Sequence, residues 1–186
     1  MGTLTYSMIT SLDGYTADEE GGFGWAVPGD ELHAFINSTA EQVGTHLYGR
    51  RMYETMAAWE TMDTEHDLPP IELAWAQMWQ AADKVVYSTT LADVHTRRTR
   101  LEREFDPVAV RAFVDAVPHD VTISGPGLAA TALRAGIVDE IVQYVCPVVV
   151  GGGTPFLPPG LRAPLHLVDQ RSFANGVVQL RYEVPR

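Results

Sequence analysis

Four places in the chain put a run of strand-forming residues directly before glycines, hydroxyls or paired arginines. Val121-Thr122-Ile123-Ser124-Gly125-Pro126-Gly127-Leu128-Ala129-Ala130 runs from a β-branched stretch through two glycines into helix formers. A turn of this kind leaves backbone N–H groups and the positive end of a helix facing outward, which suits a phosphate. Gly125 and Gly127 permit close approach. Pro126 has no N–H, so the donors expected are those of Gly127, Leu128 and Ala129. A tight strand-to-helix turn that binds nothing has the same letters. Leu47-Tyr48-Gly49-Arg50-Arg51-Met52-Tyr53-Glu54 repeats the pattern with two arginines at a helix start. Cations are unfavourable there unless an anion joins them, and the guanidinium fork matches phosphate. The alternative is two solvated arginines paired with Glu54 or another acid. In Val85-Val86-Tyr87-Ser88-Thr89-Thr90 the hydroxyls of Ser88 and Thr89 fall at a strand end, as ligand contacts or as an ordinary turn. In Val149-Val150-Gly151-Gly152-Gly153-Thr154-Pro155 three glycines follow an apolar run, for close approach at Gly151 or a chain reversal.

The letters around Gly125 also fit G-x-G-x-x-G/A, the dinucleotide fingerprint. That motif expects an acid about 20 residues on, closing the next strand. Asp139 and Glu140 come before the strand and Ile141 to Val150 holds no acid, which disfavours a standard Rossmann half. The six histidines show no metal-ligand spacing, the single Cys146 excludes an intramolecular disulfide, and no nucleophile elbow or Walker lysine is present. No metal site is expected, and Cys146 reads as a buried, inert thiol.

The elements that must carry these turns are legible from periodicity. Strands are expected at 3–10, 45–48, 84–88, 121–124 and 140–150, an edge strand at 97–104, and a final hairpin of 165–172 and 177–184 turning at Ala174-Asn175-Gly176. Helices are expected at 30–43, 50–57, 70–82, 107–116 and 126–135, and Ser11 to Asp30 reads as a long loop. Strand and helix alternate, so the fold class is α/β: a mostly parallel mixed sheet with an antiparallel C-terminal edge and helices on both faces.

Length and charge narrow the function. The chain has 186 residues, 46% hydrophobic and 20% charged, which suits one compact domain over the whole chain, 1–186. With a formal net charge of −11 it has no general attraction to nucleic acid or anionic lipid. No apolar run is long enough to span a bilayer and no secretion signal is visible, so the cytoplasm is the expected location. Local basic islands therefore matter: Arg50-Arg51, and Arg97, Arg98, Arg100 and Arg103, the latter also readable as an exposed edge that deters aggregation.

Met8 to Tyr15 (MITSLDGY), LYGRRMYE at 47–54, KVVYSTTL at 84–91, ISGPGL at 123–128 and AGIVDEIVQYVCPVVVGGGTPF at 135–156, in this order, resemble the dihydrofolate reductase-like superfamily. The nearer branch is the reductase domain of the bacterial riboflavin-biosynthesis deaminase-reductase. The resemblance implies a sheet of about eight strands and an NADPH site across its C-terminal edge. It implies Gly49, Arg50 and Arg51 at the cofactor phosphates, Ser88 and Thr89 near the adenosine 2′-phosphate, the Ser124–Ala129 turn (Gly125, Gly127, Leu128 and Ala129) at the pyrophosphate, and Ile9 and Thr10 beside the nicotinamide. It offers two candidate catalytic carboxylates. Glu31, in Glu31-Leu32-His33-Ala34-Phe35, matches an acid-Leu-x-x-Phe pattern, although Asp30 and Glu31 also suit a helix start. Asp13, in Ser11-Leu12-Asp13-Gly14, matches a substrate-side position, although Asp before Gly also forms turns. The function expected is an NADPH-dependent reductase acting on a small heterocyclic (pterin- or pyrimidine-like) or carbonyl substrate. The alternatives are a non-catalytic nucleotide-binding or interaction domain and a flavin-using enzyme. The resemblance also suggests a homodimer, to which Ile141 to Val150 and Phe156-Leu157-Pro158 could contribute. The deaminase domain that accompanies the riboflavin-pathway reductase is not found in these 186 residues.

Overall fold

A computed structural model describes residues 2–185. Its centre is an eight-stranded sheet built from β1 (Leu4–Thr10), β3 (Val43–Gly49), β4 (Asp83–Tyr87), β5 (Thr99–Glu102), β6 (Asp120–Ser124), β7 (Glu140–Val145), β9 (His166–Ser172) and β10 (Val178–Glu183), in the order β5-β4-β3-β6-β1-β7-β10-β9. Every neighbouring pair from β5 to β7 is parallel, and β10 runs antiparallel to both of its neighbours. This is the expected α/β mixed sheet with its antiparallel C-terminal hairpin. β2 (Tyr15–Ala17) and β8 (Thr154–Pro155) form a separate two-stranded ribbon.

Six helices cover the sheet: α1 (Asp30–Ala40), α2 (Arg50–Met56), α3 (Met62–Glu65), α4 (Pro70–Ala81), α5 (Pro107–Ala116) and α6 (Pro126–Arg134). Three of them begin with a proline, whose missing N–H costs nothing at a helix start. The strands alternate between two buried faces. Leu47, Val85 and Ile123 join Val110 and Val114 of α5 and Ala129 and Ala132 of α6 in one cluster. Tyr48 and Val86 point the other way, to Tyr53 of α2 and Trp79 of α4. Helices therefore sit on both faces, and every parallel strand is sandwiched, as parallel sheets require. Among the described residues no helix is long and apolar enough to cross a membrane.

Two expected elements change. The apolar run after Glu140 leaves the sheet at Val145 rather than reaching Val150. Its partner β1 ends at Thr10, and Pro147 lacks the N–H that would continue a ladder. The loop at 11–30 is also more ordered than expected, since it contains β2 and a single 3₁₀ turn at Gly24–Ala26.

The sheet interior carries polar groups away from its ligand-bearing edge. Lys84 is buried at the start of β4, where Nζ donates to the carbonyls of Trp79 and Ala82 at 3.0 Å and lies 4.2 Å above the Trp79 ring. His46 is buried on β3, with Nδ1 2.7 Å from the Thr122 hydroxyl and its ring stacked on Tyr48. Burial, helped by the Lys84 charge, pushes the His46 pKa down to about 4 from 6.5. The unfolded chain takes up this proton first, so the His46 contribution to stability is full above pH 6.5 and drains as the pH falls towards 4. The loss reaches about 3 kcal/mol below that window. Urea denaturation between pH 7 and pH 4 checks this: His46→Gln should flatten the part of the pH slope that lies between those values.

Candidate functional site

All five parallel strands that carry the sequence signals end at one edge. The registers Gly49↔Tyr87, Tyr48↔Ser124 and Thr10↔Val145 align the turns after β3, β4, β6, β1 and β7 on that side of the sheet. In open α/β sheets this is the edge where ligands bind.

The β3–α2 and β6–α6 turns touch. A Cβ on Gly49 would lie 3.6 Å from the Leu128 side chain, and one on Gly125 would lie 3.1 Å from Met52 Cβ. Gly125 has φ +94°, a conformation that L side chains rarely adopt, so glycine is needed there for both space and backbone. Gly127 is exposed, and a Cβ there would meet no atom within 4 Å. No side chain caps α6. The Ala129 N–H donates to the Gly125 carbonyl at 3.1 Å, and Ala129 is fully buried. The third donor expected from the sequence is thus used inside the helix, leaving Gly127 and Leu128 as the amides at the helix mouth.

Arg50 and Arg51 open α2 beside this turn, both exposed. Arg50 pairs with Glu54 at 3.3 Å one helical turn on, with both side chains nearly half exposed. No carboxylate among the described residues lies within salt-bridge distance of Arg51. The turn after β4 is different. The Ser88 hydroxyl, nearly buried, accepts the N–H groups of Thr90 and Leu91, and Arg103 donates to the carbonyls of Ser88, Leu91 and Ala92. Ser88 thus caps its own turn as an acceptor, with its O–H still able to donate, while Thr89 stays exposed.

On the other side of β6, the Thr10 expectation fails. Thr10 has no exposed surface, its hydroxyl accepts from Gln143 Nε2 at 2.9 Å and its carbonyl accepts from the Cys146 N–H. Ile9 points to the opposite face. There Ile9, Trp25, Phe35, Ile36 and Val148 pack, partly exposed, around a buried cluster that includes Leu32, Tyr144 and Phe173. The Trp25 indole N–H is buried and meets no acceptor among the described residues. Trp25 and Val148 carried no local signal, because an aromatic in a Gly-rich loop and a valine after a proline become neighbours of Ile9 only through the fold.

Both candidate carboxylates are tied to backbone amides. Asp13 accepts from Val150 N–H at 3.2 Å and Gly151 N–H at 2.8 Å. The Ser11 hydroxyl and these amides hold its carboxyl below the usual carboxylate range. Both oxygens of Asp13 are thus engaged by the loop that follows β7. By the same contact, the Gly151 amide is not available to a cofactor phosphate. Glu31 Oε2 accepts the Ala174 N–H at 2.9 Å and so holds the β9–β10 turn against α1.

A recess of about 370 Å³ lies at the opposite edge of the sheet, lined by Gly2, Thr3, Asp139, Glu140, His166 and Glu183. Its acids and its position at the strand starts make it a poor match for an anionic coenzyme. Among the described residues no cluster of His, Cys, Asp or Glu is placed to hold a metal ion.

The model of the RibD C-terminal domain matches residues 2–179. The chain belongs to the RibD C-terminal domain family. Relatives of this RibD-type chain include YyaP, an uncharacterised protein of Bacillus subtilis strain 168, 25% identical over 182 residues, which are 96% of this chain and 93% of that one. Among solved structures, a putative riboflavin biosynthesis protein of Shewanella sp. PV-4 superposes with a TM-score of 0.76 at 21% identity, over 99% of both chains. The Thermotoga maritima diaminohydroxyphosphoribosylaminopyrimidine deaminase/5-amino-6-(5-phosphoribosylamino)uracil reductase superposes with a TM-score of 0.68 at 14% identity, over 99% of this chain and 57% of that longer one. Enterococcus faecalis dihydrofolate reductase, solved as a complex with NADP(H), gives 0.64 at 13% identity over 100% and 98%. The fold is dihydrofolate reductase-like, a reductase fold.

Proposed function

We propose that this RibD-type chain is an NADPH-dependent reductase that passes hydride to a small heterocyclic (pterin- or pyrimidine-like) or carbonyl acceptor. One observation carries the reading: the glycine turns after β3 and β6 are in contact and present the Gly127 and Leu128 amides next to the Arg50-Arg51 pair. Main-chain donors at a helix mouth beside guanidiniums fit a diphosphate, and a 2′-phosphate adds further negative charge that an acidic chain needs local arginines to hold. Arg50, Arg51, Gly127 and Leu128 would hold the phosphates, Gly49 and Gly125 would keep the approach open, and Ile9 would face the nicotinamide. When bound, that group supplies the hydride. Trp25, Phe35 and Val148 would shape an apolar acceptor side that excludes water. With Asp13 and Glu31 bonded to amides, the proton that completes the reduction comes from water.

Titration with NADPH, followed by tryptophan fluorescence, tests this directly. Saturation at micromolar cofactor is expected, and no change at high micromolar would overturn the reading. A nucleotide-binding domain without turnover is the second reading, favoured by the two tied carboxylates. It predicts saturation with no NADPH consumption across pterins, pyrimidines and quinones.

We also propose a homodimer, with the outer edge strand β9 as a further candidate surface beside the segments suggested by the sequence. β7 lies between β1 and β10 and Phe156 is buried against the Tyr6 ring, which leaves Val149 and Leu157 as the exposed large apolar side chains of the two segments suggested by the sequence. The outer edge strand β9 exposes all seven of its residues, Leu167 and Val168 included. Sedimentation near 20.4 kDa at micromolar concentration would exclude the dimer.

A further inference from the structure

Charge is divided unevenly along the chain. No lysine or arginine precedes Arg50, whereas seven acids do, and none occurs between Arg134 and Arg162. These two stretches supply the segments that close the acceptor side: the strap from Ser11 to Ala17 and the loop from Cys146 to Phe156. They are zipped together by Leu12 N–H to Val148 carbonyl at 2.7 Å, by Phe156 N–H to Gly14 carbonyl at 2.9 Å and by the β2–β8 pairing. The cofactor side has its arginine pair, and the strap and loop on the acceptor side carry Asp13 and no basic residue.

The glycine loop after β7 shows what that means locally. Successive amides in such a loop form a concave donor site for an anion. Here the site is filled from within: Asp13 takes the Val150 and Gly151 amides, and the Glu19 carboxylate lies against Gly152, with Oε1 2.7 Å from where a Cβ would be. Arg171 of the C-terminal hairpin, an exposed cation, has its guanidinium 4.8 Å over the Phe35 ring and 5.9 Å from that of Phe173, on the apolar wall rather than in the loop's hydrogen bonds. A substrate phosphate placed beside this loop would meet two carboxylates and amides already in use.

We propose that the glycine loop on the acceptor side of this chain is closed to a substrate phosphate, with Asp13 as the internal anion that occupies it and Glu19 as its guard, so that the group seated at this loop is neutral or cationic. The substrate class rests on the reductase reading above, while the occupancy of the loop by Asp13 does not. The proposal separates this chain from the Thermotoga maritima protein, whose named substrate carries a phosphoribosyl group.

One titration reads both claims. Inorganic phosphate is added to the ¹⁵N-labelled, cofactor-free protein up to roughly 10 mM, a range that reveals a weak single-anion site. The amides of Gly127 and Leu128 are expected to shift, while those of Gly151 and Gly152 stay still. Movement at Gly151 or Gly152 overturns the proposal. Stillness at Gly127 and Leu128 counts against the cofactor cradle and leaves the loop result standing. Asp13→Ala should then gain phosphate-dependent shifts at Val150 and Gly151, and absence of the gain overturns the occupancy. Should that variant not fold, Asp13→Asn, which removes the charge and one of the two acceptor oxygens, serves the same comparison, with a gain expected at the amide it releases. Turnover of 5-amino-6-(5-phosphoribosylamino)uracil by the wild-type protein with NADPH also overturns the substrate class.

Discussion

Replacing both Arg50 and Arg51 by alanine is expected to weaken NADPH binding by about a hundredfold, because each charge-assisted bond to a phosphate is worth about 1.5–3 kcal/mol and the pair shares its gain with solvent. NADH, which lacks the 2′-phosphate, should weaken by less than about tenfold, the residue of the pyrophosphate contacts. The two arginines are not equivalent. Arg50 already has Glu54 at 3.3 Å, but the pair is nearly half exposed, and such pairs are worth little, so the guanidinium is easily re-aimed. Arg51 has no competing carboxylate within reach among the described residues, so Arg51→Ala alone should account for more than half of the loss in log affinity. Glu54→Gln tests the balance from the other side: relieved of its carboxylate, Arg50 should bind NADPH slightly more tightly. Fluorescence titrations with both nucleotides measure all of this. Equal losses for NADPH and NADH in the double variant would remove the 2′-phosphate role from the arginines.

The two glycine turns are legible in the sequence because their parts are local. A strand, a glycine and a helix start lie within ten residues at both Gly49 and Gly125, and the alternation of strand and helix places both turns on one edge. What was not legible depends on partners far away in the chain. Asp13 looked like a substrate-side acid, but its two amides are 137 and 138 residues distant. Glu31 fitted a motif at a helix start, but it holds a turn 143 residues on. At Ser88 and Ala129 the unforeseen partners are local instead. Their competing bonds are to residues within four positions, and a hydroxyl or amide at a turn serves its own backbone first. Thr10 failed on side-chain direction alone, since adjacent strand residues face opposite ways and only Ile9 of the two is turned to the acceptor side.

The remaining large effect is expected at Gly153, and it separates the two halves of the site. Gly153 has φ +128°, and a Cβ there would sit 2.1 Å from the Ala17 carbonyl oxygen and 2.5 Å from the Asp18 carbonyl carbon. These are backbone atoms of the strap and have no side-chain freedom with which to move aside. Gly153→Ala must therefore either strain its own backbone or push the strap away, at a cost of about 1–3 kcal/mol for the dihedral alone. The strap is the cheaper element to displace. β2 and β8 hold it through a ribbon of only two registered pairs, whereas the eight-stranded sheet is anchored by buried residues on both faces. The Asp13 contacts to Val150 and Gly151 lie on the same hinge and should loosen with it. Turnover should fall by a hundredfold or more, since displacements of about 1 Å at a reacting pair cost that much. NADPH affinity should change by less than about threefold, because the turns after β3 and β6 lie beyond β1 and touch neither segment. Binding and turnover measured on the same preparation decide the matter. Parallel losses of both would mean that the strap supports the cofactor as well, and the division of the edge into a basic cofactor half and an acidic acceptor half would have to be given up.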